Sequence, residues 1–349
     1  MSEVRRCLHH AIPAITQHHN ADINRSVPII VGVSGGVDSI CLCAVLKHLS
    51  HTLPITPIVA HFNHQLRGES SDADALFVQQ FAQTQALAFV LGSADVNVIA
   101  KRDKVSIEVA ARQARYTFFA QTAQAHNSNY IFLAHHADDQ AETLLLRLLR
   151  GTGIDGLQGM RPMTKVPYAD EQQLHLVRPL LYINRAEIEA HCREHQLDFR
   201  HDASNDDVHH TRNLIRHNLL PLLERINPGI RQVLTHFADS VSTDVEIIND
   251  AVRGALAQVQ ISQPEPSSTL VIDRTKWCAL SVGLQRRTLR EVVTIAKGDR
   301  HNLTFVAIRE ACDVLTSSAA HGQIALGQNL YLVFNTRTFI LKTGKQTAD

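Results

Sequence analysis

No run of about 18 apolar residues occurs anywhere in the 349-residue chain, which excludes a membrane-spanning helix. Neither sign of charge is in excess: 34 Lys and Arg balance 34 Asp and Glu. A molecule that is basic all over is therefore excluded, although local basic patches are not. The six cysteines, Cys7, Cys41, Cys43, Cys192, Cys278 and Cys312, form no CxxC pair. A zinc ribbon or a disulfide framework is not expected, and a reducing cytoplasm fits. The opening "MSEVRRCLHHAIPAITQHHN" lacks an unbroken apolar stretch and reads as an amphipathic helix rather than a signal peptide. Internal repeats and low-complexity segments are also lacking.

What is present is an alternation of short apolar runs and helical patterns. Strands are expected at 28–33, 55–61, 87–92 and 130–134, with helices at 38–50, 71–86, 106–126 and 138–150. That alternation predicts an α/β domain with a parallel sheet covered on both faces. Residues 151–167, rich in glycine, read as a long loop free to close over a substrate. "RPLLYINRAEIEAHCREH" gives a short strand and a helix, with Asn184 as cap and Glu187 at capping-box spacing. After Pro221 the pattern turns helical, over 229–258, 274–296 and 303–315, and closes in β-like runs at 322–326, 329–334 and 337–342. Two domains are expected, 1–221 and 222–349, the second smaller, mostly helical and ending in β-strands.

"VGVSGGVDS", residues 31–39, joins the first strand to the first helix. Gly35 and Gly36 let backbone N–H groups turn inward, the helix N-terminus adds positive charge, and Ser34 and Ser39 add hydroxyls. The result is an anion cradle. It has no Walker lysine and no third glycine at dinucleotide spacing. Asp38 stands apart, because a carboxylate beside phosphate needs a cation such as Mg²⁺ or a substrate ammonium.

The loop "SGGVDS" resembles the pyrophosphate loop of the N-type ATP pyrophosphatases, which transfer an adenylyl group from ATP to a substrate oxygen. "HFNHQLR" (61–67), "EVAARQARYTFF" (108–119), "HHADDQAETLLLRLLRGTGIDGLQGM" (135–160), "RPLL" (178–181) and "DASNDDVHHTRNLIRHNLLP" (202–221) narrow it. In order and spacing they are similar to the tRNA(Ile)-lysidine synthetases over about residues 28–221. The resemblance implies ATP and Mg²⁺ as cofactors, with Ser34, Gly35, Gly36, Val37, Asp38, Ser39 and His61 at the nucleotide. It also implies free L-lysine and a CAU-anticodon tRNA(Ile) as partners in a cytoplasmic, non-membrane enzyme, with a homodimer left open as the assembly.

His135, Asp138, Asp139 and Glu142 follow the fourth strand, and Asp138 and Glu142 share a helix face. Such a cluster suits Mg²⁺, for which Asp38 and Asp138 are the candidates, or the ammonium of lysine, for which His135, Asp139 and Glu142 are. Acids also favour any helix N-terminus, but that accounts for one better than for three. Arg112 and Arg115, three apart on one face, can meet phosphate charge in the transition state. With Asp38, Asp138, Asp139 and Glu142 they make the expected catalytic set. Asn205 and Arg212 are expected beside the nucleotide by resemblance. Arg274, Lys276, Arg286, Arg287, Arg290, Lys297, Arg300 and Arg309 outnumber nearby acids, and Arg286, Arg287 and Arg290 on one helical run are expected to meet tRNA phosphates. A thiolase of the same superfamily and a non-catalytic ATP-binding sensor are the alternatives. Cys41 and Cys43 have the wrong spacing for a thiolase pair, and only one of them is expected to point inward.

Overall fold

The computed structural model describes residues 26–166, 174–200, 211–261, 270–297, 303–327 and 330–343. The expected N-terminal helix and Asn205 lie outside these residues. Among the described residues no helix is long and apolar enough to cross a membrane. The chain divides into two compact units, Met1–Ser242 and Thr243–Asp349.

The first unit is built on a six-stranded sheet of order β3-β2-β1-β4-β6-β5. Its strands are β1 (Val27–Gly32), β2 (Ile55–Asn63), β3 (Ala88–Ser93), β4 (Tyr130–Phe132), β5 (Met163–Lys165) and β6 (His175–Val177). All neighbours pair in parallel except β5, which runs against β6. Period-two alternation sends successive residues of β1 to opposite faces. Ile29 and Val31 pack with helix α1 (Val37–Leu49), with Val78 and Ala82 of α2 (Glu69–Thr84), and with more distant Ile188 and Cys192. Ile30 packs on the other face with Tyr116, Phe119 and Ala123. The chain moves from β1 outward to β2 and β3, then returns to the opposite side of β1 as β4. That reversal opens a crevice at the carboxyl ends of β1 and β4, where open α/β sheets bind ligands.

The strands and helices expected up to residue 150 form, with ends shifted by a residue or two, whereas the helix expected over 274–296 is broken at residues 279–281. Helix α3 (Val96–Asp103), capped by the Asp95 side chain, was not expected; α4 (Ile107–Ala125) follows it. Helix α5 (Ala137–Leu149) follows β4, and the glycine-rich stretch after it holds a short helix α6 (Ile154–Leu157) and β5. The strand expected in "RPLLYIN" lies earlier, at β6, and its residues form turns. The Asn184–Glu187 capping box is present at the start of α7 (Arg185–Glu194). Helix α1 buries Cys41 and Cys43 alike, because the sheet, α2 and α7 enclose it on nearly all sides.

Beyond the described break, α8 (Thr211–Leu214), a π-helical turn Ile215–Leu219 and α9 (Leu220–Ile226) form one continuous path. Pro221 has no N–H to continue the α-ladder back into that turn. Helix α10 (Ile230–Val259) begins after residues 227–229 and contains the Ser242–Thr243 division.

The second unit carries an antiparallel sheet of order β7-β8-β11-β10-β9: β7 (Gln260–Ile261), β8 (Val271–Asp273), β9 (Gly322–Gly327), β10 (Leu330–Phe334) and β11 (Thr338–Thr343). Helices α11 (Arg274–Cys278), α12 (Val282–Lys297) and α13 (Phe305–Thr316) pack on it. Trp277 is fully buried, donates to Thr288 Oγ1 at 2.9 Å and meets Phe339 edge-on. Arg274 is buried too. Its guanidinium donates to the carbonyls of Leu315, Ala319, Asn335 and Ser317 at 2.7–2.9 Å and stacks on Phe334. It closes the end of α13 and does not belong to the basic surface the sequence suggested.

Arg274→Ala should leave those carbonyls without a donor and destabilise the second unit by roughly 3 kcal/mol. The chain's one tryptophan, Trp277, lies in that unit, so urea melts read by its fluorescence report the loss directly. A shift no larger than that of exposed Arg337→Ala would show the network to be dispensable.

Candidate functional site

Gly35 holds the turn after β1 at φ 97°, a conformation that disfavours side chains, and a Cβ there would press on Val78 at 3.4 Å. Ser39 Oγ ties the turn together: it accepts from Ser34 N at 3.1 Å and donates to Gly36 O at 2.9 Å. His61, buried at the end of β2, has its Nδ1 2.8 Å from the Val33 carbonyl, an acceptor, so it braces the loop's entry. Two further supports come from the α7 region, which the sequence did not mark. The Arg200 N–H donates to Gly35 O at 2.9 Å, and the Cys192 thiol points at Val37 O at 3.8 Å.

Asp38, Asp138, Asp139 and Glu142 converge at the carboxyl ends of β1 and β4. Glu142 is fully buried and saturated: Arg212 Nε donates at 2.8 Å, Arg216 Nε at 2.5 Å and Arg216 Nη2 at 3.0 Å. Asp139 accepts from Arg212 Nη2 at 2.9 Å and from the His136 N–H at 3.2 Å. Asp138 accepts from Arg231 Nη1 at 2.8 Å and from the Arg185 N–H at 3.3 Å. Asp38 differs. Arg185 Nη1 reaches its Oδ2 at 3.4 Å, while its buried Oδ1 has no hydrogen-bond partner.

His136 sits in the middle, 2% exposed, within 3.5–3.7 Å of Asp38, Asp138 and Asp139. Burial works against its charged form, but Asp138, then Asp139 and Asp38, outweigh that and raise its pKa. Burial likewise opposes ionisation of Asp138, yet His136 and Arg231 bring it down to about 2. For Asp38 burial wins and raises the pKa, despite His136 and Arg185. A charge there calls for a further cation. From the sequence, His136 had no assigned role, and Arg185 and Arg231 were not singled out.

The other side of the crevice has the opposite character. Burial lowers the His135 pKa to about 3, assisted by the charges of Arg178, Arg115 and Arg212. Burial and the Arg115 charge lower His64 to about 4. Arg115 is half-buried with Nε unpartnered, and Arg112 and Arg115 both lie over the Tyr116 ring. Arg178 donates to Arg161 O at 2.7 Å, and burial lowers it to about 10. Neutral imidazoles among guanidiniums leave this side positive.

The glycine-rich stretch expected as a free flap is tied down. Gln140 exchanges two hydrogen bonds with the Met160 backbone, at 2.6 and 2.9 Å. Arg147, near the end of α5, donates to the carbonyls of Gly156 and Gly159 at 2.8 and 2.6 Å. Gly159 stands at φ 61°, where a Cβ would strike the Gln140 side chain. A separate cleft of about 560 Å³ lies between β3, α3 and α4, lined by Phe62, Gly92, Phe118 and Gln121, and holds none of the expected residues. In the second unit, half-buried Arg286 lies over the Phe305 ring on the same helix as Arg287 and Arg290. Arg300 lies outside the described residues.

Residues 8–223 match the PP-loop domain family. The chain is 39% identical over 86% of its length to the tRNA(Ile)-lysidine synthase of Geobacter sulfurreducens, of which it covers 62%. It is 31% identical over 90% of its length to that of Geobacillus kaustophilus, of which it covers 67%. It thus spans about two thirds or less of these curated relatives. Among solved structures, the U34-tRNA thiolase NcsA of Methanococcus maripaludis shares the fold: TM-score 0.51 at 13% identity, over 68% of this chain and 80% of that one.

His135 gives the site a pH signature. The unfolded imidazole, near 6.5, takes up a proton well before the folded one, near 3. Its contribution is complete above pH 6.5 and is lost as pH falls toward 3, at about 1.4 kcal/mol per pH unit. His135→Asn should therefore flatten the fall of the melting temperature between pH 6.5 and 4.5. An unchanged slope would mean that the folded imidazole already carries the proton.

Proposed function

We propose, on the premise that the chain belongs to the PP-loop domain family, that it ligates lysine to C2 of the wobble cytidine of a CAU-anticodon tRNA(Ile) at the expense of ATP. The observation that carries this reading is Asp38 Oδ1, a buried carboxylate oxygen left without a hydrogen bond beside an anion cradle. A site with one open negative atom and a positive opposite wall suits a substrate pair of ammonium and triphosphate.

In the first step the cytidine O2 attacks the α-phosphorus of ATP, and the α–β bridging bond breaks to release pyrophosphate. In the second the ε-amine of lysine attacks C2, the C2–O2 bond breaks, AMP departs with that oxygen, and the amine sheds its extra protons. The Ser34–Ser39 backbone is suited to hold the departing pyrophosphate. Arg115, with Arg112 beside it, faces the growing phosphate charge. Asp38 has the free oxygen needed to hold Mg²⁺ or the lysine ammonium. Asp138, Asp139 and Glu142 already have arginine or backbone donors on both oxygens, so they serve better as the frame that holds His136 and the arginines near Asp38. Mg²⁺, when bound, supplies charge neutralisation at the phosphates. Arg286, Arg287 and Arg290 remain the candidates for tRNA phosphates, now without Arg274. An anticodon loop presents its base unpaired and needs no flipping.

The thiolase alternative finds less support. Cys41 and Cys43 are both buried in the core around α1, away from any open surface. The relatives named above are lysidine synthases, and the thiolase resemblance extends to the fold.

The decisive experiment is incorporation of labelled lysine into a tRNA(Ile) transcript with ATP; a folded chain that incorporates none ends the proposal. Asp38→Asn should abolish AMP release, by about 10³-fold or more, with an unchanged or higher melting point, since the native oxygen is unsatisfied. Arg115→Ala should slow adenylylation more than it weakens ATP binding. A fall in ATP affinity that matched the fall in rate would make Arg115 a ground-state contact.

A further inference from the structure

Helix α7 carries a second cluster that the proposed reaction does not use. His191 and His195 are four residues apart and Glu194 stands between them, so all three project from the last turn of one helix. One ligand atom from each lies within 4.8 Å of the others, and this is the group of that kind found among the described residues. The Asp38–Glu142 cluster does not meet that condition. The two imidazoles are 4.3 Å apart between ring centroids, tilted at 53°, and the trio sits at the rim of the helix rather than in the core. Nitrogen and oxygen donors in this number match the borderline divalent ions, zinc foremost. Positive charge at a helix C-terminus is favoured as well.

We propose that His191, Glu194 and His195 form a binding site for a divalent transition-metal ion of the zinc class. The remaining positions on the ion are left for water. The site has a consequence for the phosphate loop. Residues 185–200 support that loop through Arg185 on Asp38, Cys192 against the Val37 carbonyl, and the Arg200 N–H on Gly35. In sequence the trio brackets the second of these supports, His191 before Cys192 and Glu194 and His195 after it. An ion bound there pins the last turn of α7 and firms the frame around the loop without touching the reacting groups.

The test is equilibrium dialysis of the full chain against Zn²⁺, with melting temperatures measured in parallel. Histidines elsewhere in the chain bind ions of their own, so the comparison is by difference. His191→Gln and His195→Gln, both outside the core, should each bind one ion fewer than wild type and lose the rise in melting temperature that Zn²⁺ gives. Glu194→Gln should weaken the same ion tenfold or more. Circular dichroism checks that each variant folds. Equal numbers of bound ions in wild type and the two histidine variants would overturn the proposal, as would an equal loss in His236→Gln, an exposed histidine on α10.

Discussion

Glu142 has no exposure to solvent, and that fact organises the first unit. A buried carboxylate that stayed charged alone would cost several kcal/mol, so it must be neutralised or paired. Here it is paired twice over, by Arg212 and Arg216. Neither arginine is near it in sequence. Satisfying Glu142 therefore draws the α8–α9 path against α5, and the π-helical turn at Ile215–Leu219 sets the rotation that points Arg216 inward. Arg231 repeats the arrangement for Asp138 and is itself held by Glu224. Removing one partner would leave the other as an uncompensated buried charge, and that asymmetry makes the assembly close to all-or-none.

The same bookkeeping explains why Asp38 can be available. The acids around it are already matched, and His136 lends its positive character to all of them. Around Arg115, burial and then the arginine charges suppress protonation of His64 and His135, so positive charge there is carried by guanidiniums rather than imidazoles. A surface that is negative at one atom and positive across the gap discriminates a cationic amine from a polyphosphate by position alone. Burial strengthens both preferences, since fields are weakly screened there.

Most of the scaffold was legible from local pattern. The β1 and β4 runs, the serine-glycine turn and the Asn184 capping box each follow from a few adjacent residues. Asp38, Asp138, Asp139 and Glu142 were found because they lie beside those features. What stayed hidden depends on contacts between distant segments. Arg185 and Arg231 look like ordinary exposed arginines on helices until the carboxylates they meet are in place. His136 looked like one more histidine among 21, and only the fold gives it three acids for neighbours. Cys41 and Cys43 were misjudged because a helix enclosed on both flanks has no outward face. Arg274 was misjudged because charge counts say nothing of direction, and its side chain turns to close α13.

The loop's geometry therefore depends on a segment about 150 residues further along the chain. Gly35, Val37 and Asp38 are each contacted from residues 185–200, while Ser34 and Ser39 are closed on one another. The local hydrogen bonds give the turn its shape, and the α7 contacts fix where that shape stands relative to β4 and its acids. A cradle positioned this way costs little reorganisation when an anion arrives, because its donors and its counter-charge are already set. It also means that anything which loosens α7 acts on the loop without touching it. The capping box at Asn184 and the side-chain trio at the helix's other end are the places where such an effect would enter.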